Sequence, residues 1–544
     1  MDRLSRMMEE LHLSLRDMTA GKMHIPAYRS LYLDKMLEGQ ADIYADRDRH
    51  FRKLIQEFKT VSDSEYDVPG ELESIVRPYQ ARGYQWLRTL DHYGFGGILA
   101  DEMGLGKSLQ TLAVLKATAE EEAEDETRPK LSLIVCPASL VYNWLEEVRK
   151  FTPDLRAAVI TGTASSRARQ LREIREKQNQ DILITSYDLL KRDIQEYSDF
   201  QFRFEIIDEA QYIKNHSTAA SKSVKLIHAD TRYALTGTPI ENRLSELWSI
   251  FDYLMPGFLY DYSSFRDELE KPIMKQGEEA ALERLRRMVA PFILRRCKKD
   301  VLTDLPEKIE ETHFAGMDSR QRKLYDAQVV QMRNTIRSQD DSDFSRRKIE
   351  ILAELMRLRQ ICCDPDLCFS NYRGGSCKTE MCMDLIRNLI DGGHKTLLFS
   401  QFTSMLEILQ TKLDAARIPY YLITGKTPKE TRLKLVNQFN RDETPLFLIS
   451  LKAGGTGLNL TGADSVIHYD PWWNTAAEDQ ATDRAHRIGQ TNVVTVYKLV
   501  VKDTIEEKII DLQNRKARLA EDILSGDAVS SSTLTREELL EILR

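Results

Sequence analysis

The feature that most constrains this chain is a rhythm that occurs twice. From Arg77 onward, short β-branched runs alternate with longer helix-period stretches: "LSLIVC" at 131, "DILIT" at 181, "FEIID" at 204 and "RYALT" at 232. The alternation restarts with "KTLLFS" at 395 and continues through "YYLIT" at 420, "LFLIS" at 446, "SVIHY" at 465 and "VTVYKLV" at 494. Apolar runs of strand length separated by helices suit a parallel sheet covered on both faces, so each series predicts βα units on one sheet. The expected fold class is α/β, with two tandem parallel-sheet lobes.

Between about 243 and 370 the strand signals give way to charged amphipathic helices. In "SRRKIEILAELMRLRQ" the residues Ile349, Leu352, Leu355 and Met356 are predicted to share one helical face. The expected division is a helical extension over 1–70, a first lobe over 71–242, helical insertions and an inter-lobe linker over 243–370, a second lobe over 371–520 and a helical tail over 521–544. In the tail, Thr535 and Glu538 have the spacing of a capping box. The absence of a short-period tandem repeat excludes a solenoid.

With 544 residues, 30% of them charged, and no run of 18 apolar residues, the sequence predicts a soluble multidomain protein with no membrane partner. The opening "MDRLSRMMEELHLSLRD" has no apolar core of the secretory type, which predicts an intracellular protein. Seven cysteines fit reduced thiols better than a disulfide framework. Five of them, Cys362, Cys363, Cys368, Cys377 and Cys382, lie close together but lack a CxxC pair, so ordinary thiols are favoured over zinc ligands. The net charge of −8 argues weakly against nucleic acid. Part of it comes from "EEEAEDE" at Glu120–Glu126, expected to be a solvated loop, while basic clusters stand at Arg295-Arg296 with Lys298-Lys299 and at Arg346-Arg347-Lys348.

Three stretches carry chemistry. "ILADEMGLGKSLQTLAVL" at 98–115 reads as strand, loop and helix, with Gly104 and Gly106 in the turn. Such a loop offers backbone N–H groups and a helix N-terminus to a phosphate, Lys107 as a point charge and Ser108 as a Mg²⁺ ligand. Asp101 stands where the usual phosphate-loop pattern begins with glycine. "FEIIDEAQ" ends an apolar strand in Asp208 and Glu209, placed to hold Mg²⁺ and to polarise water. "QATDRAHRIGQ" puts Arg484 and Arg487 three apart on a predicted helix, where two guanidiniums can clamp a γ-phosphate.

The strings "VRPYQARGYQWL", "DEMGLGKSLQT", "LIVCPASLVYNW", "TSYD", "DEAQYIKN", "LTGTPIEN", "FSQF", "LKAGGTGLNL" and "DPWWNTAAEDQATDRAHRIGQ" occur in that order. Together they closely resemble the Swi/Snf-type ATPases of helicase superfamily two, over about residues 70 to 520. Asp at the first phosphate-loop position is within that family's range. The resemblance implies two RecA-like lobes and a double-stranded DNA translocase that uses ATP and Mg²⁺. Gln80 would read adenine, Gly104, Gly106, Lys107 and Ser108 would hold phosphates, and Ser108 with Asp208 would hold the metal. Glu209 would serve the attacking water. Gln211 and Thr236–Thr238 would couple the nucleotide site to DNA; Gly455, Gly457 and Gln480 would face it from the second lobe, with Arg484 and Arg487 as fingers.

Ser139, Trp144, Ser186, Gln401, Thr427, Lys452 and Trp472 lie in motifs that line the DNA path in the family, with Trp144 and Trp472 equally readable as core aromatics. Two departures from the family pattern are Thr475, where proline is usual, and Gln211, where histidine is commoner. The implied target is a DNA-bound protein such as RNA polymerase or a nucleoid protein. A strand-separating helicase and a non-catalytic DNA-binding scaffold are the alternatives. The inter-lobe helices and "DPWWN…RIGQ" count against the first, and the intact set Lys107, Asp208, Glu209, Arg484 and Arg487 against the second.

Overall fold

A computed structural model of the chain describes residues 30, 33–34, 49–59, 66–121, 130–237, 244–302, 306–337, 348–369, 372, 374–451, 458–472 and 475–511. Two all-parallel sheets form. The first has seven strands in the order β3-β4-β2-β5-β6-β1-β7: β1 Gly97–Leu99, β2 Ser132–Cys136, β3 Ala157–Val159, β4 Ile182–Ser186, β5 Gln201–Asp208, β6 His228–Leu235 and β7 Ile293–Leu294. The second has six in the order β10-β11-β9-β12-β13-β8: β8 Lys308–Ala315, β9 Thr396–Ser400, β10 Tyr420–Ile423, β11 Leu446–Ser450, β12 Ser465–His468 and β13 Val494–Val501. The ten expected strands are all present, and the α/β class with two tandem lobes stands.

The sequence explains the sheet interiors. Every residue of β2, β4, β9 and β11 is buried, as a parallel strand sandwiched between helices must be. Each Leu, Ile or Val so buried contributes roughly 1.5–3 kcal/mol. Six helices matter below: α1 Pro78–His92, α2 Lys107–Glu121, α3 Val141–Phe151, α4 Lys348–Cys363, α5 Cys377–Asp391 and α6 Thr475–Thr482. Pro at the first turn of α1 supplies a fixed φ where no N–H partner exists. Ser376 caps α5 by accepting from Thr379 N.

The structure differs from the sequence reading in the inter-lobe region. Residues 243–370 are not helical throughout: they give β7 to the first sheet and β8 to the second. The inward face of α4 also differs. Ile351, Leu355, Leu358, Ile361 and Cys362 are buried in one cluster, whereas Met356, expected on that face, is 40% exposed. A step of one residue turns a helix by about 100°, which carries Met356 off the buried stripe. None of the seven cysteines forms a disulfide, and among the described residues no group of three or more His, Cys, Asp or Glu is arranged to hold a metal. No helix among the described residues is long and apolar enough to cross a membrane. The tail with Thr535 and Glu538 and the acidic loop beyond Glu121 lie outside the described residues, as do Arg346 and Arg347.

Candidate nucleotide site between the lobes

β1 runs into a loop over 100–106 and then α2, the expected strand, turn and helix. Gly104 and Gly106 have φ of +88° and +76°, a region where a side chain is strained. Close approach adds a second requirement, because a Cβ on Gly106 would lie 2.3 Å from Gln80 Nε2. Gln80 is buried on α1; its Nε2 donates to the Leu105 carbonyl at 3.0 Å and its Oε1 accepts from Arg77 N at 2.9 Å. The amide is thus held at both ends, with the Tyr79 side chain also within its hydrogen-bonding reach. Lys107 Nζ donates to the Asp101 carbonyl at 2.7 Å, which holds the ammonium across the mouth of the loop.

The acidic pair stands at the end of β5, where parallel sheets carry their ligands. Asp208 is held by three neighbours. Trp144 Nε1 donates to Oδ2 at 2.9 Å, Glu209 N donates to Oδ1 at 2.9 Å, and the Tyr187 hydroxyl donates to the Asp208 carbonyl at 2.8 Å. Burial, then the neighbouring Glu209 charge, pushes the Asp208 carboxyl up to about 7. The Asp208 carboxylate beside that of Glu209 offers hard oxygen donors of the kind Mg²⁺ takes, and that ion's charge would reverse the upward push.

Glu209 takes a left-handed backbone, φ +54° and ψ +58°, which turns its side chain away from the strand. Gln211 Nε2 donates to Glu209 Oε2 at 2.7 Å, and Thr236 Oγ1 donates to Gln211 Oε1 at 3.1 Å. An unbroken chain therefore runs from Thr236 through Gln211 to Glu209. Gln211 and Thr236 thus stand in one hydrogen-bonded chain with Glu209; Thr238 lies outside the described residues.

The second lobe supplies the other wall. Arg484 is buried, and burial pulls its pKa down to about 10 against the opposing charge of Glu209. Arg487 comes so close to the phosphate loop that a Cβ on Gly104 would meet its Cβ at 3.0 Å. The two arginines are not on a helix, contrary to expectation: α6 ends at Thr482 and both lie in the irregular turn that follows. Gln490 N donates to the Arg487 carbonyl, and Gly489 reverses the chain at φ +102°. Gln480, half-buried, lines a cleft of about 550 Å³ together with Glu102, Gly237, Lys298 and Asp483. Gly455, Gly457 and Lys452 lie outside the described residues.

Of the positions expected along DNA, Ser139, Gln401, Thr427 and Trp472 are half-buried and follow the C-terminal ends of β2, β9, β10 and β12. Trp472 has the Arg359 guanidinium 5.6 Å from its ring. Two further positions expected along DNA are buried. Trp144 is 2% exposed and spends its indole N–H on Asp208, so it braces the acidic pair. Ser186 is 2% exposed and caps the helix after β4 by accepting from Leu189 N. Sequence reasoning missed Glu147, three residues after Trp144 on α3, which hydrogen-bonds the Ser108 side chain beside the Arg487 charge; burial raises its pKa. The i, i+3 spacing from Trp144 was the available signal.

The SNF2-related domain family matches residues 79–367, more than half of the 544 residues. The chain belongs to the SNF2 family. The helicase conserved C-terminal domain matches 377–489, and the bacterial SNF2 helicase associated family matches 1–69. An uncharacterised ATP-dependent helicase of Mycoplasma genitalium is 36% identical over 90% of this chain and 46% of its own length. A putative ATP-dependent helicase/translocase of Bacillus subtilis is 37% identical over 92% of this chain and 55% of its own.

The TATA-binding protein-associated factor Mot1 of Saccharomyces cerevisiae is 32% identical over 92% of this chain and 30% of its own length. This chain thus spans about half the length of the first two of these SNF2 relatives and less of the third. The solved SWI2/SNF2 ATPase core of Sulfolobus solfataricus in complex with dsDNA is 38% identical, with 85% of this chain and 95% of that one covered at a TM-score of 0.42.

Proposed function

We propose that this SNF2 chain hydrolyses ATP in the cleft between its two lobes and uses the cycle to move along double-stranded DNA, displacing or remodelling DNA-bound proteins without separating strands. The observation that carries the reading is the convergence of Asp208 and Glu209 from one lobe with Arg484 and Arg487 from the other. Each role follows from placement. Lys107 and the Gly104–Gly106 turn would bind the phosphates, and Gln80 would orient the adenine. Glu209, steered by Gln211, would position the attacking water. Arg484 and Arg487 would balance charge on the transferring phosphoryl group. Mg²⁺ held by Ser108 and Asp208 would neutralise phosphate charge.

Because the reactive set is split between lobes, hydrolysis requires closure, and the Thr236–Gln211–Glu209 chain is a route by which closure reaches the strand ends. Ser139, Gln401, Thr427, Lys452 and Trp472 would contact the phosphate backbone there. Such contacts give register without sequence, with affinity falling steeply as salt rises. The Bacillus subtilis relative named as a helicase/translocase supports the translocase reading. The Mot1 relatives support a DNA-bound protein as target, of which RNA polymerase and a nucleoid protein are candidates.

The test is ATP turnover without nucleic acid and with single-stranded DNA, duplex DNA or RNA, beside a strand-displacement assay on a forked duplex. Duplex-specific stimulation without strand separation is expected. Equal stimulation by single strands together with unwinding would replace the reading with a strand-separating helicase.

A further inference from the structure

The segment joining the lobes is stitched to both of them through two residues of the basic cluster at 295–299. Arg296 Nε donates to Asp101 Oδ1 at 2.8 Å, and its Nη2 bonds Asp101 Oδ2 and, at 2.7 Å, Gln110 Oε1; its Nη1 donates to the Tyr79 carbonyl. Asp101 is fully buried, and Gln110 Nε2 donates to the same carboxylate at 3.1 Å. The aspartate at the head of the phosphate loop is therefore an anchor: a glycine there could not hold the guanidinium. The backbone follows, with Ala100 N bonded to the Leu294 carbonyl and Glu102 N to the Arg296 carbonyl.

Two residues on, Lys298 reaches the other lobe. Its Nζ donates to Asp483 Oδ1 at 2.5 Å and to the His486 carbonyl at 2.6 Å, with Glu102 Oε1 at 3.8 Å. Lys298 N donates to Glu102 Oε2 at 2.7 Å. Two of the ammonium's three donors are hydrogen-bonded and Glu102 stands at ion-pair distance, so Lys298 is committed to the protein despite lying beside Gly104. An apolar cluster completes the seam: Tyr79, Leu105 and Leu302 are buried together, with Val301 and Ile488 packed against them.

We propose that Arg296 to Leu302 is an inter-lobe latch, in which Arg296 fixes the segment to the phosphate loop through Asp101 and Lys298 fixes it to the turn carrying Arg484 and Arg487 through Asp483 and His486. Arg296 and Lys298 are positioning residues. They set where Arg487 stands relative to Gly104, and the magnitude of their effect on hydrolysis rests on the ATPase reading above.

The test uses the full chain with Lys298→Met, which keeps the length and removes the charge, and Lys298→Met/Asp483→Asn, which also removes the carboxylate left uncompensated in the cleft. Three quantities are read: affinity for a fluorescent ATP analogue, DNA-stimulated kcat, and amide exchange over 484–490 in nucleotide-free protein. Lys298→Met is expected to leave analogue affinity within about twofold of wild type, lower kcat by about 10-fold or more and speed exchange in that turn. The double variant is expected to match Lys298→Met within about twofold, because both substitutions remove one contact.

Unchanged exchange and kcat in Lys298→Met, or losses that multiply in the double variant, would overturn the latch. If wild type hydrolyses no ATP with any nucleic acid, the proposed function fails instead, and the exchange of 484–490 still decides the latch.

Discussion

At the scale of single residues, the structure shows what holds the reactive groups. Trp144 gives its one N–H to Asp208, a hydrogen bond to a charged acceptor inside the fold. Trp144→Phe removes the donor while keeping an aromatic ring on α3. On the proposed Mg²⁺ role of Asp208, a bond of this kind orients the ligand from behind, so the Mg²⁺ concentration for half-maximal hydrolysis should rise about 10-fold or more. A Mg²⁺ titration of ATP turnover measures this, and an unchanged midpoint would reduce Trp144 to a packing residue.

His468 makes a separate prediction about pH. Burial, then the Lys498 charge, depresses its pKa to about 3, and its Nε2 pairs with Thr482 Oγ1 at 2.9 Å. The unfolded value is about 6.5, so between those values the unfolded state binds the extra proton and stability falls as pH falls. At pH 5 the loss from this group is about 2 kcal/mol. His468→Asn should flatten the decline of Tm from pH 6.5 to 5, and an undiminished slope would assign the decline to other groups. Neither partnership was legible beforehand: the motif strings mark Trp144 and Asp208 as notable, but joining them needs a contact across 64 positions.

At the scale of elements, legibility followed composition. The ten strands read from sequence are apolar runs of β-branched and aromatic residues, which only a covered sheet accommodates. The three that were missed lack that signal. β3 is "AAV", β7 has two residues, and β8, "KIEETHFA", is an edge strand whose charges face solvent. The arginine turn was misread because an i, i+3 spacing suggests a helix, and nothing local announces that α6 stops at Thr482.

One element contact was equally invisible. Lys378 on α5 and Glu506, just beyond β13, are both fully buried and joined at 2.5 and 2.7 Å, and Val501 N also donates to Glu506. Lys378→Met strands a carboxylate in the core and should cost about 3–5 kcal/mol, whereas Lys378→Met/Glu506→Gln, which keeps an acceptor for Val501, should recover most of it. Denaturant unfolding of the three proteins checks this. A double variant as unstable as the single would place the cost in lost packing.

At the scale of the whole molecule, the candidate site exists because two sheets with no shared strand are brought together where the loop after β1 meets the turn between α6 and β13. On the proposed reading, the first lobe binds the nucleotide through Gln80, the glycine turn, Lys107 and the acidic pair, and the second contributes guanidiniums that act at the transition state. This division predicts a split between two single substitutions. Lys107→Ala removes a charge from the binding lobe and should weaken ATP affinity along with turnover. Arg487→Ala removes charge from the closing lobe, so affinity should stay near wild type while DNA-stimulated turnover falls by about 10³-fold or more, the range for a lost arginine finger.

Equilibrium binding of an ATP analogue beside steady-state turnover separates the two effects. If Arg487→Ala lost affinity as heavily as Lys107→Ala, the guanidinium would serve the ground state as much as the transition state, and ATP would be gripped by both lobes before hydrolysis. If affinity persists while turnover collapses, binding needs one lobe and chemistry needs two. Opening the cleft after hydrolysis would then remove catalytic power without first expelling the nucleotide, which is the order of events a motor needs to convert closure into a step.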